Sequence, residues 1–288
     1  MLSILIVNWN TRDYLRQCLL SLRESCSDLD HEIIVVDNDS NDDSATMVAE
    51  EFPEVVLLAQ THNLGFAAGN NWAYAHAIGN FIWLLNPDTE VLENAPRVLI
   101  SFLEQNPEAG GVASALIDAR TGKIQRSCRT FPLPGALWAQ ALGLARAFPR
   151  SRRYGFYKMG DWSMKTAREV EQPMASSFLL RRSAIEASDG LFDEEFPIFF
   201  NDVDLCWRLR KRGWQVWFSP DAKVKHWGGG ATGQIKPAMV AESHRSLRRF
   251  YEKRLRDEVS PGIYWPTVAM FETAGIARHF WQKKRAEK

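Results

Sequence analysis

The chain has 288 residues, 45% hydrophobic and 24% charged, which suits one larger α/β domain or one domain with an appendage. Lys+Arg and Asp+Glu each number 35, and this zero net charge argues against a general nucleic-acid binder. No stretch approaches the roughly 20 apolar residues of a spanning helix, so any membrane contact is expected to be peripheral.

The neutral total hides segregation. Residues 24–54 hold eleven carboxylates and no Lys or Arg, whereas residues 119–160 hold nine Lys or Arg and no carboxylate. The four cysteines, Cys18, Cys26, Cys128 and Cys206, lack CxxC spacing. With the short apolar start at residues 2–7, too short for a signal-peptide core, they predict reduced thiols in a cytoplasmic protein.

In chain order, aliphatic and β-branched runs at residues 3–7, 32–36, 55–59, 81–85 and 111–117 predict fully buried strands. Apolar spacing of three and four predicts helices at residues 14–22, 44–51, 67–78 and 95–104. This alternation predicts an α/β fold with a central, mainly parallel sheet flanked by helices, whose ligands bind beyond the carboxyl ends of the strands. Polar clusters stand there: Asn8-Trp9-Asn10, Asp37-Asn38-Asp39-Ser40 and Asn86-Pro87-Asp88. Each alone is explained as a cap or turn; three on one sheet edge point to a binding site.

Beyond residue 117 the pattern loosens. A strand is expected at 122–129, then a mobile, basic surface excursion over 131–171. Regular structure resumes at 174–180, with a helix at 202–212, a strand at 215–218, and helices at 238–255 and beyond Pro261.

The turn after the first strand holds no glycine, which argues against the Gly-rich loop of a dinucleotide-binding dehydrogenase. A carboxylate at a strand end, such as Asp88, can instead hold a Mg2+ or Mn2+ ion that manages diphosphate charge.

Four segments, taken together and in order, resemble glycosyltransferase family 2, closest to its bacterial rhamnosyltransferase-like branch: Ser3-Ile4-Leu5-Ile6-Val7-Asn8-Trp9-Asn10, Val35-Val36-Asp37-Asn38-Asp39-Ser40, Asn63-Leu64-Gly65-Phe66-Ala67-Ala68-Gly69-Asn70-Asn71 and Leu84-Leu85-Asn86-Pro87-Asp88. The resemblance runs on through Gly190-Leu191-Phe192-Asp193-Glu194 and Asn201-Asp202-Val203-Asp204-Leu205-Cys206-Trp207-Arg208 to His226-Trp227-Gly228-Gly229-Gly230. It implies a GT-A fold and an inverting transfer from a nucleotide-diphosphate sugar, with dTDP-rhamnose as the favoured donor and a UDP-sugar as the other.

The resemblance also implies roles. Donor contacts fall to Val7, Asn8, Asn10, Asp37, Asn38 and Asp39, to Asn63, Gly65, Phe66 and Asn70, and to Asn86 and Asp88. Asp88 and His226 would bind the metal, and Asp202 would be the base that takes the acceptor's proton. Asn86 departs from the family's first acid, and Asn201 stands where many relatives carry Glu. The structural alternatives are an N-cap for Asp202, a packed imidazole for His226 and a plain turn for residues 63–71. Asp204 is expected to be structural or acceptor-facing, and most of the run Arg208, Arg210, Lys211 and Arg212 a solvated face.

The expected organisation is a transferase domain at 1–235, with a nucleotide half at 1–117 and an acceptor half at 118–235, and a helical extension at 236–288. Residues 137–153 join apolar residues to arginines, and the C-terminus joins Tyr264, Trp265, Phe271, Phe280 and Trp281 to Lys283, Lys284 and Arg285. Such stretches lie in a membrane interface or pack on the domain or on a second subunit of a homodimer. The membrane reading makes a polyprenyl-diphosphate-linked saccharide the natural acceptor, at the inner face of the cell membrane. Competing functions are a non-catalytic nucleotide-sugar-binding scaffold and a nucleotidyltransferase, the latter normally marked by an early Gly-rich basic loop that is lacking here.

Overall fold

The computed structural model describes residues 1–92, 94–229 and 236–286, excepting the side chains of 236–238, 274 and 276–286. The strands are β1 Leu2–Asn8, β2 His31–Asp37, β3 Val56–Ala59, β4 Phe81–Leu85, β5 Thr89–Val91, β6 Ala109–Asp118, β7 Cys128–Arg129, β8 Arg168–Glu169, β9 Gln172–Pro173, β10 Ser177–Arg181 and β11 Gln215–His226. The helices are α1 Arg12–Ser25, α2 Ser44–Glu51, α3 Phe66–His76, α4 Ala95–Gln105, α5 Pro134–Ala141, α6 Leu144–Ala147, α7 Arg182–Ala187, α8 Asn201–Lys211, α9 Lys236–Phe250 and α10 Pro261–Ala286.

One sheet, in the order β3-β2-β1-β4-β10-β6-β11-β5, organises the chain, with β8 pairing on β11. Its first four strands are parallel; β10 runs antiparallel between β4 and β6, and β11 returns parallel to β6. Every residue of β1 is buried because helices cover both faces. The period of two sends Leu5, Ile34, Val36, Ile82 and Leu84 into one core and Ile4, Ile6, Val35, Trp83 and Leu85 into the other. α1 closes the second core with Leu15, Cys18, Leu19 and Leu22, spaced three or four apart along one helical face. In register, Asn8 lies beside Asp37, so the polar ends of β1 and β2 meet.

Several expectations need correction. β3 is the sheet's edge strand rather than a fully buried one, and Val56 is exposed. Residues 122–129 form only a bridge between Ile124 and Ile117 and the two-residue β7. The 131–171 segment is more than a surface excursion: Phe131, Met159, Trp162 and Met164 anchor it in the core, with Trp162 edge-on to Phe218. β11 does not stop at Phe218. It crosses an irregularity between Ser219 and Lys223, where Pro220 offers no N–H, and continues to His226 against both β6 and β5. The short β5 was not legible as a strand, yet its pairing of Thr89 with His226 brings two distant segments together.

The four cysteines are buried and unpaired. After α9 a π-helical turn, Tyr251–Leu255, leads towards α10, and Tyr251, Tyr264 and Phe271 form an aromatic cluster. Trp138 Nε1–H donates to Thr267 Oγ1 at 3.0 Å, so the start of α10 is fastened to α5. Among the described residues no helix is long and apolar enough to cross a membrane. Gly230 and the boundary at residue 235 lie outside the described residues, as do the side chains of Phe280, Trp281, Lys283, Lys284 and Arg285.

Candidate active site

The carboxyl ends of β1, β2 and β4 open on a cleft of about 530 Å³, within the usual size of small-molecule sites. Val7, Trp9, Asn38, Asn63, Gly65 and Phe66 line it from the first half of the chain. Ile198, Phe199, Phe200, Asn201 and Asp202 line it from the second, with Asn86, Ser176 and His226 between. The two halves are tied directly: the N–H groups of Phe66 and Ala67 both donate to Pro197 O at 3.0 Å.

Asn38 is buried in the cleft wall. Its Nδ2–H donates to Gly65 O at 3.1 Å, while Oδ1 has no hydrogen-bond partner among the described residues. A buried acceptor without a donor costs about 1–3 kcal/mol, and because this oxygen is itself enclosed, a ligand N–H reaches it only when the Asn38 side chain turns into the cleft it lines. α3 approaches this wall closely because residue 69 is glycine; a Cβ there would meet Val7 Cγ1 at 3.0 Å.

Other expected donor residues stand behind the wall. Asn8 donates to Asp37 Oδ1 at 2.8 Å and accepts from Thr11 Oγ1–H at 2.6 Å. Asp37 Oδ2 accepts from the Ser40 amide at 3.0 Å, closing the turn after β2. Asn10 and Asp39 take left-handed backbone angles, φ 50° and 60°, as short polar side chains tolerate. Asn10 Oδ1 accepts the Asn41 amide, and Asp39 is exposed. Asn70 is buried and donates to Phe66 O inside α3. None of these five side chains lines the cleft. Asn63 lines it and uses Oδ1 to accept the Gly65 amide, fixing the loop that enters α3.

Asn86 faces the cleft and donates Nδ2–H to Ser176 Oγ at 3.1 Å, binding β4 to the segment before β10. Asp88 is buried behind His226, and His226 Nε2 stands 3.5 Å from Asp88 Oδ1. The Trp227 amide donates to Asp88 O, so the end of β11 is tied to the β4–β5 turn.

Gln125, which nothing in the sequence singled out, sets the imidazole. Its Nε2–H donates to His226 O at 3.0 Å, and its carboxamide also donates to Asp118, so Oε1 is left facing His226 Nδ1 at 2.8 Å. Nδ1 therefore carries a proton, and Nε2 is turned toward the Asp88 carboxylate. With Nε2 deprotonated, as metal ligation requires, the two atoms would favour a cation between or beside them. An imidazole nitrogen, a carboxylate and an outer hydrogen bond on the far ring nitrogen make a donor set that fits a divalent ion. Among the described residues no cluster of three His, Cys, Asp or Glu side chains exists, so the remaining ligands would come from the substrate and water.

Asp202 lies in the first turn of α8 and lines the same cleft as Asn38. Phe200, in a left-handed conformation at φ 67°, turns the chain into this helix. Burial pushes the Asp202 carboxyl up to about 6, partly offset by the amides of Val203 and Ala175. The Val203 amide donates to Oδ1 at 2.8 Å, so Asp202 also makes a helix N-terminal contact, and the capping and cleft readings describe the same side chain. Asn201 accepts the Asp202 amide and donates to Ile198 O at 2.9 Å. A carboxylate there could accept but not donate, so the amide suits this loop.

Asp204 is structural. Fully buried, it takes Arg208 Nε–H at 2.8 Å and Arg254 Nε–H at 2.6 Å. Arg208 is thus an exception to the solvated run: its guanidinium also donates to the carbonyls of Ser188, Gly190 and Leu191. Arg210, Lys211 and Arg212 are exposed and pair with Glu171, Glu258 and Asp189. The Gly190–Glu194 motif serves the same scaffold, since Phe192 exchanges two 2.9 Å hydrogen bonds with Asn71 and Asp193 pairs with Lys253.

The sequence profile of Glycosyl transferase family 2 matches residues 3–159, more than half of the chain. An N-acetylglucosaminyl-diphospho-decaprenol L-rhamnosyltransferase of Mycobacterium tuberculosis is 26% identical over 266 residues, covering 88% of this chain and 84% of its own. Rhamnosyltransferase WbbL of Escherichia coli is 23% identical, with 89% of each chain covered. Among solved structures, the mannosyltransferase PcManGT of Pyrobaculum calidifontis, in complex with GDP-Man and Mn2+, superposes with a TM-score of 0.59 at 17% identity, covering 93% of this chain and 68% of that one. That likeness shows the GT-A fold.

Proposed function

Because the chain belongs to glycosyl transferase family 2, we propose that its cleft moves L-rhamnose from dTDP-rhamnose, with inversion, onto a saccharide carried by a polyprenyl diphosphate at the inner face of the cell membrane. The observation that carries this reading is the meeting in one cleft of Asn38, whose Oδ1 has no partner among the described residues, and Asp202, a half-buried carboxylate with a raised pKa. Asn38 suits a nucleobase with an N–H at N3, as thymine and uracil have; cytosine has a lone pair at N3 and carries its N–H groups on the 4-amino nitrogen. Asp202, with its pKa at about 6, is ionised at neutral pH yet basic enough to take a hydroxyl proton.

In the proposed step the acceptor oxygen forms a bond to the anomeric carbon as the bond to the diphosphate oxygen breaks. The electron pair leaves with the nucleoside diphosphate, and the hydroxyl proton passes to Asp202. Asp88 and His226 would hold Mg2+ or Mn2+, which when bound neutralises charge on the departing diphosphate. Asn86 and the loop at Asn63 and Gly65 orient the donor from the first half of the chain, and Trp9 and Phe66 supply apolar cover that limits water.

The rhamnosyl and lipid-linked parts are supported by the names of the two relatives, and the metal by the donor set around His226. The test is incubation of the purified protein with dTDP-L-rhamnose, Mn2+ and a short-chain lipid diphosphate N-acetylglucosamine. Mass spectrometry is expected to show addition of one deoxyhexose, with free dTDP released in equal amount. Transfer from UDP-glucose or UDP-galactose in preference to dTDP-rhamnose would overturn the donor assignment.

A further inference from the structure

We propose that α5, α6 and the first turns of α10 form one surface that docks on an anionic lipid bilayer. Among the described residues eleven large apolar side chains are exposed, and five of them, Leu133, Leu142, Phe148, Ile263 and Trp265, fall in these two segments. The segments are fastened to each other by the Trp138–Thr267 hydrogen bond, so the five are gathered rather than scattered over the molecule.

The exposure is built in. α10 spends Tyr264, Thr267 and Phe271 on its inner face, which leaves Ile263 at 53% and Trp265 at 57% exposure directed outward. Leu142 is 65% exposed and Phe148 54%, in a segment whose Ala136 and Ala139 already fill the inner positions. These apolar groups are interleaved with cations. Arg146, Arg150, Arg152 and Arg153 are exposed, and the whole stretch 119–160 carries no carboxylate. Phe148 packs on Tyr154 with ring centroids 5.9 Å apart, and the Arg153 guanidinium lies 5.6 Å from that same tyrosine ring, so apolar and cationic groups share one site.

Charge selects the occupant. A two-fold dimer through this face would set the acid-free basic stretch against its own copy, like charge against like. A bilayer with anionic headgroups would cover the apolar groups and neutralise the arginines together, and the exposed Trp265 is of the residue type favoured at the headgroup interface. Among the described residues no helix is long and apolar enough to span, and the attachment proposed is peripheral. Docking needs neither donor nor transfer, and its outcome is separable from that of the proposed reaction.

The experiment uses the full chain and sedimentation with vesicles of phosphatidylcholine alone or with 30 mol % phosphatidylglycerol (about; the fraction is set to mimic an anionic leaflet). Binding is expected to the anionic vesicles, to weaken as salt is raised, and to be at least about tenfold tighter than to neutral ones. L142S/F148S/I263S/W265S and, separately, R146Q/R150Q/R152Q/R153Q are each expected to lose about tenfold or more, with unchanged far-UV circular dichroism. The arginine variant leaves every apolar side chain in place, so it tests the idea even if the first variant folds poorly. Equal binding of wild type to both vesicle types, no binding at all, or a wild-type dimer that the apolar substitutions convert to monomer would each overturn the proposal.

Discussion

His226 Nε2 faces Asp88 Oδ1 at 3.5 Å with both side chains buried, and Gln125 fixes the imidazole from behind, its Oε1 2.8 Å from Nδ1 and its Nε2–H donating to His226 O. A residue that fixes a metal-binding histidine from behind typically contributes 10–100-fold to metal affinity. Gln125→Leu is therefore expected to weaken Mn2+ binding in the presence of dTDP by about tenfold or more. Electron paramagnetic resonance of free Mn2+ measures this. Unchanged affinity in the variant would remove Gln125 from the site.

Asn38 Oδ1 is expected to discriminate bases. Wild type should bind dTDP or UDP more tightly than CDP, and Asn38→Ala should lose about 1 kcal/mol, or roughly fivefold, for dTDP with little change for CDP. Isothermal titration with the three nucleotides reads both numbers. Equal losses for all three would mean that Asn38 only shapes the loop through Gly65.

Asp202 makes two opposite contributions that pH separates. Its pKa in the fold is raised to about 6 by burial, so the carboxyl stabilises the fold most when protonated, below its unfolded value near 4, and that contribution is lost as pH rises through about 6. Asp202→Asn is accordingly expected to match wild-type stability near pH 4 and to exceed it above pH 7, by about 1–3 kcal/mol. Urea unfolding at the two pH values checks the sign. Wild-type transfer should meanwhile fall as pH drops below about 6, where the base becomes protonated.

The Asp204 carboxylate neutralises Arg208 and Arg254 in a buried network that clamps the carbonyls before α8. Removing it leaves the buried Arg208 without a counter-charge, while Arg254 keeps Asp193, so Asp204→Ala is expected to destabilise by about 3–5 kcal/mol. A denaturation midpoint within error of wild type would show the network to be slack.

Much of this fold was legible because its inner strands are continuous apolar runs: β1, β2, β4 and β6 stand within a few residues of their expected limits. The site was legible in part. Asn38 and Asn86, read from strand ends, and Asp202 and His226, implied by the family resemblance, converge on one cleft from four separate segments. What stayed hidden depends on pairing at a distance. β5 is three residues long and exists because β11 passes a bulge to reach it, and no local pattern announces that. Gln125 is ordinary in sequence and gains its role only through the turn that returns it to β11. Asn8 and Asp37 read as ligand contacts because they stand at strand ends on the binding edge; in the fold they hydrogen-bond each other, Thr11 and Ser40.

The central claim, that Asp202 is the base of a glycosyl transfer in this cleft, is tested most directly by one comparison. Wild type and Asp202→Asn are given dTDP-L-rhamnose, Mn2+ and the lipid-linked acceptor, and product is followed by mass spectrometry while donor binding is measured separately. The account predicts at least about a hundredfold loss of transfer in the variant, with donor affinity within a few-fold of wild type. Transfer by the variant at the wild-type rate would contradict it.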